Sequence, residues 1–238
     1  MTEIEISPLN DDLSLRAHAV LPGGHFGNMA GDVIIARGKE GRIWDNRGNE
    51  YVDFLLGSGP MFVGHAHPKV TEAVLNQVPN GTTFFANNVH GIKLAEEICA
   101  AVNCIEQIRF VSSGSEATLY AMRIARAYRE RDKVLKFEGG YHGMSDYSLM
   151  SLAPKTLSNF PQAIPDSPGI PKKVSEEVIV APFNDTEMFK SILDEHHEQL
   201  GAVIVEPFQR LIPPAPGFLE VLRDMTLKYD IPLIFDEI

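Results

Sequence analysis

Apolar positions along the chain change rhythm after residue 65. Before it they come in short bursts between turn-forming residues: DVIIARG and GRIWD joined by Lys39-Glu40, then EYVDF after the turn Asn46-Arg47-Gly48-Asn49. Bursts rich in β-branched and aromatic residues, broken by Asn and Gly, predict a short antiparallel meander. After Gly64 the period lengthens. Pro68 suits the first position of a helix over KVTEAVLNQV, because the N–H it lacks would have no partner there. Asn88 predicts the cap of a second helix, with Ile92, Ala95, Ile98 and Cys99 forming one apolar stripe.

From there amphipathic segments alternate with short, wholly apolar runs. IRFV (108–111) precedes a helix over 116–129, with Ala117, Tyr120, Ile124 and Tyr128 on one face. VLKF (134–137), VIVA (178–181), AVIVE (202–206) and PLIFDE (232–237) are the further runs, and helices are expected over 185–198 and 218–229. Runs apolar at every position imply strands covered on both faces, and their alternation with helices implies a parallel sheet in an α/β fold. The stretch 139–173 is rich in Pro, Ser and Gly and has no period. Long ordered loops of this kind are often functional.

Composition narrows the partners. Apolar residues make up 44% and charged residues 22%, ordinary for a soluble globular chain. A net charge of −11 disfavours nonspecific binding to nucleic acid or anionic membrane, so an anionic ligand needs a local site. Cys99 and Cys104 form neither a disulfide framework nor a metal-knuckle spacing, which fits a reducing cytoplasm. Residues 1–12 lack the basic-then-apolar order of a signal peptide, and no run approaches the ~18 apolar residues of a membrane span. The GxSxG, GxxxxGK[ST] and GxGxxG fingerprints are absent. His65-x-His67 has no nearby carboxylate or cysteine to complete a metal site, and none is expected. His196-His197, flanked by Glu195 and Glu198, reads as a solvated helix face. Trp44, Phe84 and Phe85 read as core or dimer-interface residues, with a pocket role for the two phenylalanines as the alternative.

Three strand ends carry candidate chemistry. Ser112-Ser113-Gly114-Ser115-Glu116 joins a predicted strand to a helix, where backbone N–H groups and the positive helix end receive a phosphate. The same residues also suit an ordinary N-cap. Glu138-Gly139-Gly140-Tyr141-His142-Gly143 follows VLKF at the carboxyl edge of the sheet, where ligands bind in open parallel sheets. Its glycines would let Tyr141 or His142 lie flat over a ring, or simply make a turn. Asp236 ends a very apolar strand, which is costly unless it meets a cation or several donors. A protonated pyridine nitrogen, a helix start or an arginine would each serve. Glu206, ending AVIVE, poses the same question. Together these residues amount to a phosphate cradle, a stacking residue and a pyridinium partner, the inventory for pyridoxal 5′-phosphate.

The stretches GSGPMFVGHAHP (57–68), RFVSSGSEATLYAMRIARAYRERDKVLKFEGGYHG (109–143), VEPFQ (205–209), PGFLEVLRD (216–224) and LIFDEI (233–238) resemble the class III aminotransferase family, nearest its glutamate-1-semialdehyde aminomutase branch. The resemblance runs through nearly the whole chain. It implies the N-terminal part of a small α+β domain (1–66) and a three-layer αβα pyridoxal-phosphate large domain (67–238), working as a homodimer on a small-molecule amino donor and acceptor. It also implies that Ser113, Gly114 and Ser115 bind the cofactor phosphate, that Tyr141 stacks on the ring with His142 beside it, and that Asp236 pairs with the ring nitrogen. Ile238 would pack the ring's other face, Glu206 would lie near the cofactor, and Gln209 would lie near the ring hydroxyl. Ser58 would line the substrate pocket, although the tryptophan that commonly follows it is Gly59 here.

The family's covalent-link lysine falls beyond the FDE motif, and Lys228 precedes Asp236, so no lysine here matches it. The catalytic residue is thus unassigned, and the chain reads as C-terminally truncated, its large-domain sheet incomplete. The expected activity is movement of an amino group on an amino acid or amino-aldehyde, glutamate-1-semialdehyde-like or a β-amino acid. For the chain taken alone, the alternative is an inactive cofactor-binding remnant.

Overall fold

The structure is a computed structural model that describes residues 13–26, 33–155 and 159–238. The acidic segment 1–12 lies outside the described residues, as do Asp32 of the first predicted burst and residues 156–158 of the irregular stretch. The chain divides into two compact units, with the boundary between Ile98 and Cys99.

The first unit opens with helix α1 (Leu13–Val20) and holds the expected meander. Strands β1 (Ile35–Lys39), β2 (Arg42–Asp45) and β3 (Glu50–Val52) pair antiparallel in that order. The turn between β2 and β3 is tied by Asp45, whose Oδ1 accepts from the N–H groups of Arg47 and Asn49 at 2.9 and 2.8 Å. Helix α2 (Pro68–Gln77) starts on its proline, and α3 (Val89–Ala101) is capped by Asn88, whose Oδ1 accepts from Gly91 N–H at 2.9 Å. Trp44 is half-buried beneath the Arg37 guanidinium, 3.6 Å from its ring centroid, while Phe84 and Phe85 are exposed, so none of the three enters a core.

The second unit is a parallel sheet. In chain order come α4 (Gly114–Arg129), β4 (Lys133–Phe137), α5 (Lys172–Glu176), β5 (Val178–Ala181), α6 (Thr186–His196), β6 (Leu200–Val205), α7 (Phe218–Lys228) and β7 (Leu233–Phe235). The sheet order is β5-β4-β6-β7, with every pair parallel. Side chains alternate across it. Leu135, Phe137, Val203 and Val205 meet Phe189, Leu193, Phe218 and Leu222 of α6 and α7 on one face. Val134, Ala202 and Ile204 meet Met122 and Ala125 of α4 on the other. Burial on both faces explains why these strands are apolar at nearly every position, Lys133 and Lys136 of β4 being the exceptions.

IRFV departs from expectation. Residues 108–111 run without a ladder partner among the described strands, and Phe110 is half exposed. A strand needs a neighbour to take up its N–H and C=O groups, and the described sheet offers none beside this run. The described part of the irregular stretch, by contrast, is ordered. Ser151 N–H donates to Ile164 O, Val180 N–H donates to Pro161 O, and Met150 is fully buried. At the end of α6, His197 is not simply solvated, because its ring stacks on Tyr229 with centroids 4.1 Å apart. No described helix is long and apolar enough to cross a membrane.

Candidate cofactor site at the carboxyl ends of the strands

The start of α4 takes its shape from small residues. Ser113 is the N-cap, its Oγ accepting from Glu116 N–H at 3.2 Å, and Glu116 Oε2 reaches back to Ser112 N–H at 2.7 Å. Ser113 therefore does what an ordinary cap does. The N–H groups of Gly114 and Ser115 follow in the first turn, where helical geometry provides no partner. A Cβ on Gly114 would meet Cδ1 of Ile238, so the Ile238 side chain lies directly over this turn.

The glycine loop after β4 is tied to this helix. Ser115 Oγ accepts from Met144 N–H at 3.0 Å, and Thr118 Oγ1 donates to His142 O at 2.6 Å. Gly143 has φ +90°, and a Cβ there would lie 2.5 Å from Ser115 Oγ. Both the left-handed backbone and the lack of space demand glycine at this position.

Asp236, just past β7, finds its partner in this loop. His142 Nδ1 lies 2.8 Å from Asp236 Oδ2, with side-chain exposures of 1% and 4%. Burial pulls the His142 imidazole below its usual range, against the opposing pull of Asp236. Its Nε2 is sealed and has no partner. A neutral ring with its proton on Nδ1 donates to Asp236 and leaves a lone pair on Nε2, which costs less than an unpaired N–H. Asp236 Oδ1 has only a long 3.4 Å contact to Ile238 N–H. The buried strand-end carboxylate is thus held by histidine, not by an arginine or a helix start, and His142 lies against Asp236, out of solvent.

Glu206 Oε2 accepts from Tyr141 N–H at 2.9 Å. The Tyr141 ring remains 38% exposed, with the Arg210 guanidinium 5.5 Å from its centroid. Gln209 is buried and donates from Nε2 to Glu138 O at 2.7 Å, which fixes the end of β4. Ser113, Gly114, Ser115, Tyr141, His142, Glu206, Asp236 and Ile238 therefore gather around the carboxyl ends of β4, β6 and β7.

Two residues of this cluster were not anticipated. Thr118 looks like any helix residue, and its tie to the loop depends on a contact across the fold. Lys136, inside β4, is 1% exposed, and its Nζ donates to Gly140 O, Ser148 O and Met150 O at 2.9, 3.0 and 2.5 Å. Burial brings its ammonium down to about 8, with Asp166 and Glu206 opposing the shift.

Ser58 belongs to the first unit. It sits in a turn where Leu56, Gly57, Ser58 and Gly59 all have positive φ, at 49°, 67°, 66° and 111°. Left-handed backbone costs a non-glycine residue about 1–2 kcal/mol, so something must hold it. Asp53 Oδ1 accepts from the N–H groups of Leu55 and Leu56 at 2.9 Å each, and its Oδ2 meets His65 Nε2 at 2.6 Å. His65 is thereby engaged by a carboxylate.

Comparison with known proteins bears on the family and the fold. The chain is 42% identical over 209 residues to a glutamate-1-semialdehyde 2,1-aminomutase of Geobacillus thermodenitrificans, covering 87% of this chain and 48% of that relative. An omega-transaminase from Sphaerobacter thermophilus has the same fold, with a TM-score of 0.89 at 37% identity, over 94% of this chain and 53% of that one. A transaminase solved with PLP bound follows at 0.85 and 32%, over 92% and 53%. The chain spans about half the length of the curated relatives it matches. The family profile for class-III aminotransferases matches residues 26–238, and the chain belongs to that family.

Proposed function

We propose that the strand-end cluster holds pyridoxal 5′-phosphate and that the protein moves an amino group on a small amino acid or amino-aldehyde, glutamate-1-semialdehyde-like or a β-amino acid. The observation that carries this reading is the buried Asp236 carboxylate, backed by His142 through one oxygen, with a single long contact on the other. A carboxylate so placed suits a protonated ring nitrogen, to which it would offer a charge-assisted hydrogen bond. The first turn of α4 suits a phosphate, through the Gly114 and Ser115 N–H groups and the serine hydroxyls.

When bound, the cofactor supplies an electron sink for the pair released at the substrate carbon. The chain's own residues bind and orient. Asp236 would offer its Oδ1 to the ring nitrogen, with His142 aiming the carboxylate through Oδ2. Tyr141 would stack on one face of the ring and Ile238 would pack the other.

The same reading makes the protein a cytoplasmic homodimer, with residues 1–66 as the N-terminal part of a small domain and 67–238 in the large domain. Free Cys99 and Cys104 support the compartment. Exposed Val70, Val74 and Phe84, which line a groove of about 930 Å³ with α2 and α3, support a partner surface.

Native mass spectrometry of the protein with pyridoxamine 5′-phosphate tests the cofactor reading on which the proposal stands. A dimer retaining one cofactor per chain is expected. A protein that retains none overturns it.

A further inference from the structure

Two side chains of opposite charge grip one peptide unit. Lys136 Nζ donates to Gly140 O at 2.9 Å, and Glu206 Oε2 accepts from Tyr141 N–H at 2.9 Å. That carbonyl and that N–H belong to the same amide plane, the one joining Gly140 to Tyr141. The remaining two protons of the ammonium go to Ser148 O and Met150 O, on the returning arm of the loop. Lys136 thus clasps both arms from below.

The arrangement is costly for the fold. Lys136 occupies a strand position between Leu135 and Phe137, both fully buried, where an apolar side chain would avoid desolvating a charge. What it controls is one peptide of a loop whose neighbouring N–H groups are tied elsewhere, Gly139 to Ser151 O and Gly140 to Phe137 O, which leaves the Gly140 carbonyl to Lys136 and the Tyr141 N–H to Glu206. Tyr141 is 38% exposed, with the Arg210 guanidinium 5.5 Å from its ring centroid. The rotation of the peptide before it sets where its Cα–Cβ bond points.

We infer that Lys136 and Glu206 are paired positioning residues that lock the Gly140–Tyr141 peptide and so fix the direction in which Tyr141 meets a bound ring. The ring part of this statement rests on the cofactor reading above, and the locked peptide does not. Charge at both ends of one amide makes the two grips cooperative. Each polarises the peptide toward a stronger bond with the other.

The test uses the full chain, Lys136→Met, Glu206→Gln and the double variant. Amide hydrogen exchange at Tyr141, without ligand, should quicken by about tenfold or more in each single variant, while Leu135 within β4 keeps its protection. Affinity for pyridoxamine 5′-phosphate should fall by roughly tenfold in Lys136→Met, and the double variant should be little worse than that single one. Unchanged exchange at Tyr141 in a folded variant, or affinity losses that multiply, overturns the inference. If Lys136→Met fails to fold, Glu206→Gln decides alone by the same exchange measurement. If the parent chain binds no pyridoxamine phosphate, the cofactor reading falls, and exchange at Tyr141 still decides the peptide lock.

Discussion

The imidazole of His142 and the carboxylate of Asp236 meet at 2.8 Å although 94 residues separate them in the chain. Both are buried, so the contact joins the loop after β4 to the end of β7 out of reach of solvent. Removing the neutral imidazole leaves the buried Asp236 carboxylate with only its long contact to Ile238 N–H, at a cost of about 1–3 kcal/mol or more. His142→Ala should therefore destabilise the second unit by roughly that amount, read from the urea midpoint. Asp236→Asn, which keeps the shape and removes the charge, should cost less.

Acid should act through the same pair. Burial holds the folded His142 below the 6.5 of an ordinary imidazole. As pH falls past 6.5, the unfolded chain takes up a proton that the folded chain refuses, and stability drops. Above that pH neither form carries the proton and this contribution is flat. Melting temperature against pH should therefore fall on the acid side of 6.5 in the parent, with a smaller slope in His142→Gln.

Gly143 faces two independent demands, φ +90° and a Cβ position 2.5 Å from Ser115 Oγ and 2.6 Å from Ser115 Cα. Gly143→Ala should cost about 2 kcal/mol or more. Adding Ser115→Gly should recover only part of the loss, because the backbone contact and the left-handed φ remain. Denaturant titration of the three variants checks both statements.

The turn that carries Ser58 depends on Asp53. Its carboxyl lies below the usual carboxylate range, chiefly through the His65 hydrogen bond. A group depressed in this way stabilises the fold above its ordinary pKa of 3.8 and loses that contribution as pH falls through its lower folded value. Limited proteolysis between residues 53 and 65 should stay slow near neutral pH and speed up only in strong acid. Asp53→Ala should make that segment readily cut at neutral pH.

How much of this was legible in the chain depended on the range of the interaction. Asn88 and Pro68 mark helix starts because capping is local, and VLKF, VIVA and AVIVE mark strands because burial on both faces leaves an uninterrupted apolar run. IRFV carries the same signature yet makes no ladder, since a run cannot report whether a neighbouring strand exists. Ser113–Ser115, Tyr141 and Asp236 were recognisable as strand-end chemistry, and the fold brings them together. The true partner of His142 was not recognisable, nor was Lys136. A lysine within VLKF looks like a residue turned toward solvent. Nothing local says that carbonyls 4, 12 and 14 residues further on will fold back over its ammonium.

The most direct measurement is a calorimetric titration of the full chain with pyridoxamine 5′-phosphate, pyridoxamine and inorganic phosphate, repeated on Asp236→Ala. The strand-end site predicts saturable binding of pyridoxamine phosphate, at least about tenfold tighter than either fragment. It also predicts a loss of about tenfold to a hundredfold in Asp236→Ala, the worth of one charge-assisted hydrogen bond. Equal affinity for phosphate alone, or an Asp236→Ala variant that binds as the parent does, would contradict it.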